Sequence, residues 1–206
     1  MHSIWTRLNV FLTLVVTVAL VMCCAVAASD AWVDGSGVKA EVGVLGVEKL
    51  VKERGGNDEA ILNFWVDLDM SEAFSWNTKQ LFMYVSVRYT DDDPKNAVQG
   101  EGGQGEVEGG EPLVSEVVVW DRIVVPVDAV VKQPRVRNKY KLTGRGSDLI
   151  GKPFELVLGW NVMPKCGYMY QRTKVFSSHE WVMPGNYTTD GVAPQWTHGM
   201  PSQPRP

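Results

Sequence analysis

The sequence predicts an all-β, sandwich-like domain preceded by a single N-terminal transmembrane helix, and three observations carry that prediction. Val10 to Ala28 is a run of nineteen residues without a charge. Seven later segments alternate apolar and polar side chains with the period of two that a half-buried strand imposes. A helical period is nearly missing after the apolar run, where only Ser71-Glu72-Ala73-Phe74 reads as a short turn of helix with Ser71 as its cap. With 206 residues and 45% hydrophobic content, the chain holds one ordinary domain plus terminal additions.

Taken as a helix, residues 10–28 are about 28 Å long at ~1.5 Å per residue, close to the thickness of a hydrocarbon core. Arg7 precedes the run and Asp30 and Asp34 follow it, so the positive-inside rule places residues 1–9 in the cytosol and the domain on the far side, a type II orientation. Trp5 and Trp32 flank the span as interfacial aromatics. The competing reading is a cleaved secretory signal, with Ala25-Val26-Ala27 as the cleavage site. Nineteen apolar residues against the ~7–15 of a secretory signal favour a retained anchor.

The domain occupies residues 29–189. Val38, Ala40, Val42 and Val44 form a first strand, and Glu48 to Glu59 reads as a charged connection. In Ile61 to Met70, Phe64, Val66, Leu68 and Met70 lie on one face, with Asn63, Trp65, Asp67 and Asp69 on the other. Lys79 to Tyr89 is the longest alternation, with Leu81, Met83, Val85 and Val87 opposite Gln80, Phe82, Tyr84 and Ser86. Residues 90–112 carry six glycines, seven acids and one base, too little apolar surface to offset ordering entropy, and read as a disordered loop.

Strands resume at Ser115 to Val124, where simple alternation sets Val117, Val119 and Ile123 against Val118, Trp120 and Val124. Lys132 to Lys152 has seven bases and one acid, read as a solvated face or, alternatively, a patch for acidic partners or lipid headgroups. Phe154 to Val162 alternates again, Pro164 to Gly167 is a turn, and Tyr168 to Phe176 and Ser178 to Met183 complete the strands. The proline-rich tail, 190–206, reads as disordered.

A net charge of −4 gives no basic field for nucleic acid. Cys23 and Cys24 lie in the apolar run, which leaves Cys166 alone and no disulfide framework in the domain. No cofactor or metal is expected, because neither Cys/His zinc spacing nor a calcium or phosphate loop is present. His179 is the one histidine within the strands, and Ser178 beside it would face the opposite way. Asp67 and Asp69, ~7 Å apart on one face, match an inverting glycosidase pair but equally an ordinary solvated face. Three tryptophans each precede a polar residue: Trp76-Asn77, Trp120-Asp121 and Trp160-Asn161. They read either as core residues at strand ends or as anchors for a protein or glycan.

The blocks Phe74-Ser75-Trp76-Asn77-Thr78-Lys79-Gln80-Leu81-Phe82, Val119-Trp120-Asp121-Arg122-Ile123-Val124 and Leu158-Gly159-Trp160-Asn161-Val162-Met163-Pro164, behind a single membrane span, resemble the signal peptidase complex subunit 3 family. The resemblance covers roughly Val10 to Tyr187. It implies an endoplasmic-reticulum membrane protein with a cytosolic N-terminus and a lumenal β-sandwich. Such a protein lacks peptidase residues of its own and supports the catalytic subunit and its other partners in the complex. Trp76, Asn77, Lys79, Gln80, Trp120, Asp121, Trp160 and Asn161 then become structural or interface positions. Loop 90–112 and tail 190–206 depart from the family pattern. The animal-type glycosylation sequon is missing at Ser147-Asp148-Leu149, although Asn186-Tyr187-Thr188 offers an acceptor. The alternative, from another class, is a secreted β-sandwich module using exposed tryptophans on glycans, and a hydrolase built on Asp67 and Asp69 is the remotest reading.

Overall fold

The computed structural model describes residues 3–30, 37–91, 113–147 and 149–188. Helix α1 runs Ile4–Asp30, longer than the uncharged run and with Arg7 inside its first turns. Among the described residues nothing buries the apolar window within Ile4–Ser29. Thr13 and Thr17 donate their hydroxyls to the carbonyls of Asn9 and Thr13, one turn back, both at 2.8 Å. The two threonines of the uncharged run are thereby satisfied without water.

Among the described residues eight strands follow: β1 Lys39–Lys52, β2 Asp58–Asp69, β3 Thr78–Asp91, β4 Leu113–Val124, β5 Val130–Arg137, β6 Leu142–Gly144, β7 Phe154–Pro164 and β8 Tyr170–Phe176. One sheet has the order β1-β2-β5, with β6 also paired to β2; the other has the order β4-β3-β7-β8. All pairings are antiparallel. The expected all-β sandwich with one N-terminal apolar helix is what the chain forms. Between the sheets lie Val44, Leu62, Phe64, Leu68, Leu81, Met83, Val85, Leu156 and Leu158, each 1% exposed or less. Phe64 of one sheet meets Trp120 of the other edge to face, with ring centres 6.5 Å apart.

Where strands differ from simple alternation, a bulge is usually the cause. The expected connection Glu48 to Glu59 is mostly strand: β1 continues to Lys52 and only residues 53–57 turn. Register shifts between Val44 and Gly46 and between Val47 and Lys49 each add a residue, so Val44, Val47 and Leu50 all face the core three apart instead of two. In β4 the register shifts where Trp120 opposes Val85 and Val118 opposes Ser86. Val119 and Trp120 consequently both turn inward and Ile123 turns out, correcting the faces read from alternation.

The basic stretch Lys132 to Lys152 contains two strands that alternation did not indicate. Its β5 buries only Val131 and Val136, on either side of a further bulge, and Pro134 sits in that bulge on an edge strand, where a missing N–H costs no ladder bond. Four of its seven bases are paired with acids: Lys132 with Asp67, Arg137 with Glu48, Lys139 with Asp121 and Lys141 with Glu59, at 2.6–3.2 Å. Ser178 to Met183 is not a strand. Trp181 N–H closes a turn onto the Ser178 carbonyl, and Val182 makes a lone bridge to Pro153. β3 runs on through Thr90 to Asp91, which faces Leu113, so the expected loop begins later than Thr90. The rest of that loop, 92–112, lies outside the described residues, as do Trp32, Asp34, Asp148 and the tail 190–206.

Candidate functional site

The three tryptophan blocks do not form one surface. Trp160 points into the core from β7 and Trp120 from β4, at 5% and 7% exposure, whereas Trp76, on the β2–β3 connection, is 64% exposed. A glycan platform of three exposed rings is therefore not formed. Among the described residues the buried Trp160 indole N–H has no hydrogen-bond partner, nor has that of Trp65. The polar neighbours divide similarly. Asp121, on β4, accepts hydrogen bonds from Lys139 Nζ at 2.6 Å and Tyr140 OH at 2.9 Å, tying β4 to the β5–β6 connection. The Lys139 bond, followed by the Tyr140 bond, holds the Asp121 carboxyl below its ordinary pKa. Asn161 faces outward on β7 opposite Phe82 and Gln171, Lys79 is exposed, and Gln80 donates to Met163 Sδ at 3.2 Å.

Asn77 has the most constructive role of the group. At 1% exposure its amide spans two connections: Nδ2 donates to the Cys166 carbonyl at 2.7 Å and Oδ1 accepts from the Cys166 N–H at 3.2 Å. Lys165 adds a backbone bond to the Asn77 carbonyl at 2.7 Å and a side-chain bond to the Trp76 carbonyl at 3.1 Å. The β7–β8 turn held in this way reaches α1. A Cβ built on Gly167 would lie 3.3 Å from Ala27 Cβ, and Cys166 Sγ is 3.9 Å from the Cys23 carbonyl. Gly167 has φ 120°, which L side chains avoid. The sequence marked Pro164 to Gly167 as a turn. Nothing in it joined Asn77 to Cys166, 89 positions away, or the turn to the helix.

The groups weighed for chemistry are otherwise engaged. Asp67 pairs with Lys132 at 3.1 Å, and Asp69 Oδ1 accepts from Ser71 N–H at 3.1 Å. The Ser71 hydrogen bonds lower the Asp69 pKa, the direction opposite to that of a general acid. Ser178 and His179 line an open cleft with Glu155 and Arg88. The Ser178 hydroxyl accepts from Glu180 N–H at 3.3 Å, and no hydrogen bond joins it to the exposed His179. At the candidate sequon Asn186 is exposed, while the Thr188 hydroxyl accepts from Leu50 N–H at 2.9 Å and Tyr187 OH donates to Asp58 at 2.8 Å.

A family profile described as signal peptidase subunit matches residues 1–185. The signal peptidase complex subunit 3 of Caenorhabditis elegans is 33% identical over 197 residues, covering 92% of this chain and 98% of that protein. The Caenorhabditis briggsae protein of the same name is 30% identical over 197 residues, covering 92% and 98%. The Drosophila melanogaster protein of that name is 26% identical over 203 residues, covering 93% and 100%. An unburied apolar helix, a two-sheet domain and three tryptophan blocks built into its framework thus coincide with a match across nearly the whole chain, and the chain belongs to the signal peptidase complex subunit 3 family.

Proposed function

We infer that this chain is a non-catalytic accessory subunit of the signal peptidase complex of the endoplasmic reticulum. Residues 1–9 face the cytosol, α1 is the anchor, and the sandwich lies in the lumen, where it supports the catalytic subunit in removing signal peptides from nascent secretory proteins. Family membership over almost the full length carries this reading. The charge asymmetry across α1 supports the orientation. The supporting role, as opposed to a catalytic one, fits side chains that are committed to structure: Asp67 to Lys132, Asp69 to Ser71 and Ser178 to Glu180.

The test is processing of a reporter precursor in cells depleted of the native protein and supplied with variants, scored together with recovery of each variant with the peptidase. Asp67→Asn, Asp69→Asn, Ser178→Ala and His179→Ala should assemble and process. Trp160→Ala should lose assembly through loss of the fold. Normal assembly with abolished processing in any of the first four would make this a catalytic subunit. Orientation has its own readout. Asn186 should carry a glycan, so that glycosidase digestion speeds gel migration of the parent chain and leaves Asn186→Gln unchanged.

A further inference from the structure

The two ends of the sandwich differ in character. Strand directions place the residue 70–77, 125–129 and 164–169 connections at one end, together with the start of β1. The residue 53–57 and 145–153 connections lie at the other, and the 138–141 connection lies partway along, bonded to Leu62 and Val119. The most exposed large apolar side chains among the described connections belong to the first end: Val127 at 92%, Tyr168 at 87%, Trp76 at 64% and Met169 at 58%. In the other described connections the apolar groups on the surface, such as Tyr140, are less than half exposed, among Glu53, Arg54, Asn57 and Lys141.

The first end also sits at a definable depth. Helix α1 has 27 residues and is about 40 Å long, some 10 Å more than a hydrocarbon core of ~30 Å. Centred on the bilayer, its hydrocarbon segment ends near Arg7 on one side and near Ala27 on the other, with Cys23 about a turn further in. The Cys166-Gly167 turn touches Ala27 and Cys23, so this turn reaches the headgroup boundary or just below it. Tyr168 and Met169 follow directly, and the Asn77 clip holds Trp76 beside the same turn. Charges at this end are mixed, Glu72 and Asp128 against Lys79 and Lys165, so the end carries no field of one sign to read anionic lipid.

Resting on the reading of α1 as a membrane span, we propose that this end of the sandwich is a second membrane contact. Trp76, Val127, Tyr168 and Met169 enter the headgroup region of the phospholipid bilayer beside α1. Amphipathic rings favour that zone, and an exposed apolar tip next to a span has its solvent there. The contact fixes the sandwich's tilt against the membrane plane at a second point beside the span.

The experiment uses the full chain, with Cys23, Cys24 and Cys166 changed to Ser, in phosphatidylcholine nanodiscs. A nitroxide is attached in turn at Tyr168→Cys, Val127→Cys, Tyr140→Cys and Val16→Cys. Depth is read from relaxation by oxygen, which concentrates in the bilayer, against a water-soluble nickel chelate. Tyr168 and Val127 are exposed, so labelling them leaves the core alone, and an unchanged urea midpoint confirms folding. The expected result is an oxygen-to-nickel ratio several-fold higher at Tyr168 and Val127 than at Tyr140, and highest at Val16. Ratios at Tyr168 and Val127 equal to that at Tyr140, with Val16 at bilayer depth, overturn the contact and leave the span standing. Shielding of Tyr168 and Val127 from both reagents means that protein, a second copy in this sample, covers the tip, and also overturns it. A water-exposed Val16 overturns the span and the contact together.

Discussion

At the scale of single residues, the tryptophans separate by burial. Trp120→Ala or Trp160→Ala removes a ring from a core that cannot close over the gap, at a cost on the order of 3–5 kcal/mol. Trp76→Ala alters a side chain on the surface and should stay within ~0.5 kcal/mol. Trp160→Phe is the informative variant. It keeps most of the ring and removes a buried indole N–H that has no partner among the described residues, so it should cost less than ~1.5 kcal/mol. Urea unfolding of the four variants measures the order. Asp121 gives a pH dependence. Its folded pKa is depressed, so its contribution is present above the ordinary carboxylate range and is lost as pH falls through the folded value. The drop in the urea midpoint on acidification below pH ~4 should be shallower in Asp121→Asn than in the parent chain. An equal slope in the two would mean that the bonds from Lys139 and Tyr140 do not favour the carboxylate. Burial explains why the motifs were only half legible: Trp-Asn and Trp-Asp pairs look alike in sequence, but Trp76 sits on a connection while Trp120 and Trp160 point between sheets.

At the scale of the element, each sheet carries a glycine whose neighbour across the ladder is an aromatic ring lying over it. A Cβ on Gly159 would clash with Cζ and the hydroxyl of Tyr84, and one on Gly43 would come 2.5 Å from Trp65 Nε1. Tyr84 is held in place by Gln171, which donates to its hydroxyl. Gly159→Ala should therefore cost ~1–3 kcal/mol by displacing the ring, and much less in a Tyr84→Ala background. Additive losses in that double-mutant cycle would show that the ring is not the obstacle. The alternating strands β2, β7 and, from Gln80 onward, β3 were readable because a period of two survives along them. β1 and β4 were partly misread because each bulge shifts every later side chain to the other face. β5 and β6 were missed since an edge strand buries little: two valines among bases and a proline leave no stripe to detect.

At the scale of the whole molecule, residues 92–112 join the framework between two paired strand ends. Asp91 and Leu113 are paired partners, so a chain in which residues 92–112 are replaced by a short glycine-containing turn has its strand ends already in register. Loop closure changes by only ~0.6 kcal/mol per halving of length, so the shortened chain should fold and assemble as the parent does, scored by urea midpoint and by recovery with the peptidase. Loss of recovery with an unchanged midpoint would identify the segment as a contact. The arrangement of the second sheet also sets an order of events in time. Its central strand β3 takes one neighbour from the chain that follows it, β4, but the other is β7, with Thr78 facing Pro164. While a ribosome is still adding the residues between, the hairpin of β1 and β2 can close, yet one edge of β3 stays open and the inner faces of both sheets lack their cover. The second sheet can be completed only when β7 and β8 emerge, and until then the growing chain offers a strand edge that only its own last third can fill.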